Sequence, residues 1–100
     1  SQLLDYVTRQ QELDALFSQA VAAYNADRWA EAISLFEAIQ TKDETFRTDA
    51  LKESLFISYL EEGERLIEEF GEDVGNVRQA LQHFNAALTI HPDNQRAAQN

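Results

Sequence analysis

Apolar residues recur at steps of three and four along almost the whole chain, a period that suits helices and little else. Leu13, Leu16, Phe17, Ala20 and Tyr24 form one stripe, and Trp29, Ala32, Ile33, Phe36 and Ile39 a second. Leu51, Leu55, Phe56, Tyr59, Leu60, Leu66, Ile67 and Phe70 form a third, wide enough that both sides of its helix must be covered. Val77, Ala80, Leu81, Phe84, Ala87 and Leu88 make the fourth. No stretch alternates with period two for long enough to read as a strand. The 100 residues include 3 Gly and 1 Pro, so long helices meet few breakers.

These stripes predict a first helix over about Leu3 to Asn25, with its front end (Leu3, Leu4, Val7) separated from the main stripe by Arg9-Gln10-Gln11-Glu12. Asn25-Ala26-Asp27 is a break, and Asp27 is placed to cap the second helix. A third helix is expected from near Thr45 to Phe70, followed by a loop over Gly71–Asn76 in which Asp73 or Asn76 caps the fourth. The fourth ends by His91, because Pro92 disfavours helical geometry in the residue before it. Asp93 would then cap a short terminal helix reaching Asn100. The absence of Met and the start at Ser1 point to a piece of a longer chain, and Ser1–Val7 carries no signal-peptide pattern.

Composition removes several function classes. With 8 Lys and Arg against 18 Asp and Glu, the formal charge is −10, which argues against nucleic acid or anionic lipid as a main partner. The charge is concentrated: residues 43–73 carry 11 acidic and 3 basic side chains. Cys is absent, which rules out disulfides, Cys-zinc sites and a thiol nucleophile. No apolar run approaches the roughly 20 residues of a membrane span.

The second and fourth stripes repeat each other. Trp29-Ala30-Glu31-Ala32-Ile33-Ser34-Leu35-Phe36-Glu37-Ala38-Ile39 aligns with Val77-Arg78-Gln79-Ala80-Leu81-Gln82-His83-Phe84-Asn85-Ala86-Ala87. A small Ala lets a neighbouring helix approach, and the Phe four residues later fills the space beside it. Ala20 lies 12 residues before Ala32, and Leu16 four before Ala20. The second unit closes with Ala87-Leu88-Thr89-Ile90-His91-Pro92-Asp93-Asn94.

With these residues the chain resembles the tetratricopeptide repeat family, most specifically over 77–94. The resemblance implies an all-α fold of antiparallel hairpins stacked as a short solenoid, with about four long helices and a C-terminal helical stub. One repeat would span 13–44 and a second 46–92, with 93–100 opening a further helix. The sequence departs from the family in three places. Glu44 stands where Pro is usual, and Ala23 where Tyr is common. Gly63, the best small residue of the second unit, with Tyr59 four before it, lies 17 rather than 12 residues before Ala80, which predicts a five-residue loop insertion near 70–75.

No residue pattern suggests catalysis. His83 and His91 lie eight apart on one helix, too far to grip one metal, and read as exposed or helix-end side chains. Glu61, Glu62, Glu64, Glu68 and Glu69 read as a solvated face, with Glu61 and Arg65 as a favourable pair four residues apart. The 71–76 loop lacks both the Lys of a phosphate cradle and the spaced oxygen ligands of a calcium loop. Trp29 reads as core, and no serine has a histidine near it in sequence. No cofactor is expected.

The resemblance also implies where binding occurs: on the inner face of the first helix of each pair. In the first pair that face would offer Phe17, Val21, Tyr24 and Asn25, and in the second Ile57, Leu60, Glu61, Glu64, Ile67 and Glu68. An apolar and acidic groove of this kind suits a peptide or helix with basic and apolar residues, without a covalent step. The family's clamp for acidic chaperone tails keeps only Asn25 here and is opposed by Glu61, Glu64 and Glu68, so no such tail is expected. The other expected role is a structural spacer or a homodimer formed through exposed ends.

Overall fold

A computed structural model describes residues 1–70 and 73–93, Phe70 by its backbone alone. Among the described residues the fold is all-helical, with α1 at Gln2–Asn25, α2 at Trp29–Lys42, α3 at Thr48–Phe70 and α4 at Val74–Ile90. The expected stub over 93–100 lies outside the described residues beyond Asp93. The chain divides into two compact units, one over Ser1–Leu51 and one from Lys52 onward.

In the first unit α1 packs against α2. Phe17 meets Phe36 and Tyr24 meets Trp29 edge to face, so the two helices run antiparallel. Leu13, Ala20 and Ala23 of α1 and Ala32, Phe36 and Ile39 of α2 are fully buried. The three alanines let the backbones approach while Phe36 fills the space between them. The 24 residues of α1 exceed the 14 of α2, which at 1.5 Å per residue leaves α1 longer by about 15 Å. Residues 2–9 of α1 are all exposed, including Leu3, Leu4, Tyr6 and Val7.

The turn between these helices corrects the capping expectation at Asp27. Asp27 adopts a left-handed backbone, φ 60°, and α2 starts after Arg28 with no side-chain cap. The Asp27 N–H donates to Tyr24 O and the Arg28 N–H to Ala23 O. This is a Schellman closure of α1, and Asp is one of the few non-glycine residues that tolerates the conformation it needs. Trp29 is half-buried rather than fully in the core.

After α2 the Asp43 carboxylate accepts hydrogen bonds from the Thr45 N–H at 2.9 Å and the Thr45 hydroxyl at 2.6 Å. That turn tucks Phe46 into the interior against Phe17, and Arg47 follows with a left-handed φ of 42°. The α3 helix therefore begins at Thr48, later than Thr45. The Arg47 guanidinium lies 4.7 Å from the Phe17 ring centroid and 3.8 Å from Asp14.

In the second unit α3 and α4 also run antiparallel, with Phe56 against His91 and Tyr59 against His83. Their core is Phe56, Leu60, Leu66, Ala80, Phe84 and Ala87. Gly63 faces the Phe84 ring so closely that a Cβ there would sit 2.6 Å from Cε1. Of the residues near 70–75 that are described, Phe70 ends α3, Asp73 caps α4 by accepting from the Gly75 N–H, and Val74 and Gly75 are helical, as is Asn76 after them. The first hairpin is joined through residues 26–28. Relative to the first, α3 runs two residues further past its small residue, and α4 starts three residues further ahead of its Ala.

Candidate functional site

The candidate residues of the first unit are largely taken up by packing. Phe17 is half-buried between Phe36 and Phe46, with Arg47 over its face. Tyr24 is half-buried against Trp29 and Phe36. Val21 is half-buried, and Asn25, at the end of α1, is exposed. This set presents an aromatic surface with one amide, and the Arg47 guanidinium lies over its Phe17 ring.

In the second unit, three of the six expected residues come together. Glu64, Ile67 and Glu68 line a depression of about 220 Å³ whose fourth wall is Phe84. Glu64 and Ile67 are half-buried and Glu68 is exposed. Ile67 and Glu68 lie three and four residues after Glu64 on α3, so the two carboxylates are one turn apart with an apolar side chain beside them. Ile57 is half-buried against the core, and Glu61 is half-buried. Leu60 is a correction: it is 1% exposed and belongs to the α3/α4 core, so it cannot meet a ligand.

The solvated-face reading of the glutamate cluster also fails at one position. Glu62 is 5% exposed. Its carboxylate accepts from Arg65 Nε at 2.7 Å and Arg65 Nη2 at 2.9 Å, while Arg65 Nη1 donates to Glu69 at 2.7 Å. The hydrogen bonds to Glu62 hold the Arg65 guanidinium above its ordinary pKa range. Bidentate pairing of this kind satisfies a carboxylate that burial would otherwise penalise. The sequence signal was present: Tyr59, Glu62 and Leu66 share helical spacing with the core stripe, and Arg65 follows Glu62 by three.

Two further features were not anticipated. His91, the C-cap of α4, meets Glu53 of α3 at 2.5 Å through Nε2, beside a depression of about 440 Å³ lined also by Phe56, Pro92 and Asp93. The second is a depression of about 330 Å³ on α4, lined by Val74, Val77, Arg78 and Leu81. Among the described residues, no group of three or more His, Asp or Glu side chains could hold a metal ion, and no helix is long and apolar enough to cross a membrane.

Among the described residues the arrangement is all-helical, an antiparallel helix pair in each of the two units. No protein-family model, curated protein or solved structure matches the chain.

Proposed function

We propose that the chain is a protein–protein interaction module of tetratricopeptide type, which stacks its hairpins as a short solenoid and binds a peptide or helix with basic and apolar residues. The observation that carries this reading is the depression formed by Glu64, Ile67, Glu68 and Phe84. A lysine or arginine stem would lie along Ile67 and the Phe84 ring, with its charge between the two carboxylates. The burial of Ala32, Phe36, Ala80 and Phe84 supports the repeat reading, since these are the matched positions of the two units. No covalent step and no cofactor are part of the proposed role.

The test is titration of cationic amphipathic peptides against the wild type and a Glu64→Lys, Glu68→Lys variant. Binding that weakens at least about tenfold in the variant, and weakens with added salt, supports the site. Binding unaffected by the double substitution overturns it.

A second reading, as a self-association or spacer segment, is favoured by the exposed front of α1, where Leu3 is 73% and Leu4 66% exposed. Sedimentation over a concentration range separates the two, because a monomer throughout excludes self-association.

A further inference from the structure

The depression on α4 differs in kind from the acidic site. Val74 and Leu81, on its rim, are 72% and 48% exposed, and outside the first turns of α1 they are the large apolar side chains of the described residues left most open to solvent. Val74, Val77, Arg78 and Leu81 follow the steps of three, four and seven that make a continuous seam on one helix face. The residues that lengthen α4 at its start supply Val74, so the seam exists because this helix begins a turn early.

The charge around the seam is reversed. In a chain of net charge −10, α4 contains no Asp or Glu, and Arg78 is its sole formal charge. The other three helices each carry at least two carboxylates. Arg78 makes no ion pair with a described residue. Any occupant that covers Val77 and Leu81 also takes water away from the guanidinium between them, and a desolvated guanidinium without a counter-charge is costly. A neutral or basic occupant leaves that cost uncompensated, whereas a carboxylate offsets it with a bidentate contact.

From this complementarity we infer that the Val74–Leu81 face of α4 is a docking surface for an acidic amphipathic helix of a partner protein, with apolar side chains at i, i+3 and i+7 and a carboxylate between them aimed at Arg78. A helical seam of this spacing is matched by another helix rather than by an extended strand. Residues 94–100 offer Arg96 and no carboxylate or large apolar side chain, so they do not complement it. An anionic lipid surface offers the charge but no helical seam to match Val74, Val77 and Leu81. This surface goes beyond the acidic site proposed above and stands independently of it.

The experiment follows the methyl NMR signals of Val74, Val77 and Leu81 during titration with two synthetic helices, one with leucines at i, i+3 and i+7 and glutamate between them, the other with lysine in place of glutamate. The wild type is expected to bind the glutamate helix at these methyls at least about tenfold more tightly, against the sign of its net charge. Arg78→Glu should reverse the preference, and Val74→Ser with Leu81→Gln should abolish binding of both, with helical circular dichroism unchanged. The Glu64→Lys, Glu68→Lys variant should keep the wild-type preference, which separates this surface from the acidic one. Equal response to both helices, or a preference that survives Arg78→Glu, overturns the inference. So does a perturbation of the same methyls by protein concentration alone or by phosphatidylserine vesicles, which would assign the face to a second copy or a membrane.

Discussion

Glu62 and Asp43 show two ways in which one carboxylate holds this backbone. Glu62 sits inside the fold and depends on the fork of Arg65. Asp43 is half-buried and works locally, by fixing Thr45 in a tight turn that brings Phe46 inward. The Thr45 hydroxyl and N–H both stabilise the charged form, and they lower the Asp43 pKa below its ordinary 3.8. The sign of the linkage follows. A depressed carboxylate contributes stability that is complete above its unfolded value and is lost as pH falls through the lower folded value. The melting-temperature gap between wild type and Asp43→Ala should therefore be constant at neutral pH and narrow once pH drops below 3.8. A gap of constant size down to strong acid would contradict this role.

At the level of the elements, Gly63 is where α3 comes closest to the α4 side chains. Gly63→Ala gains about 1 kcal/mol of helix propensity. It also drives a methyl group to 2.6 Å from a ring that is 2% exposed and has little room to move. Overpacking of this kind costs about 1–3 kcal/mol. The net effect should be a loss of stability in urea unfolding, recovered in part when Phe84→Leu is added. A stabilised single variant would mean that Phe84 yields more easily than its burial suggests. The same element shows what the sequence made legible. The four helices, and the burial of Ala32, Phe36, Ala80 and Phe84, follow from apolar spacing, which burial obeys closely. The start of α4 was obscured because Gly75 reads as a breaker. In the first turn its N–H is taken up by the Asp73 cap, which accepts from it at 3.0 Å. Glu62 was missed because its charge outweighed its position in the stripe. Of the candidate site, Glu64, Ile67 and Glu68 were recoverable from steps of three and four, whereas Leu60 was placed by a family pattern that does not set how deep α4 sits over this stretch of α3.

For the whole molecule, the dominant electrostatic fact is −10 spread mainly over α3 and the residues flanking it. Like charges at this density oppose compaction. Added salt shortens their reach from about 30 Å at 0.01 M to about 8 Å at 0.15 M. The melting temperature should rise over that range, and a fall would show that attractive pairs such as Glu62 with Arg65 outweigh the repulsion. The front of α1 lives under a different rule. Its first two turns are exposed throughout, and the Ser1 side chain accepts from the Leu4 N–H at their start. Tyr6, Val7 and Thr8 are mediocre helix formers, and an isolated stretch this short is marginal in water. Among the described residues those turns are the part of α1 with the least packing, and anything that grips Leu3 and Leu4 would supply the burial they lack.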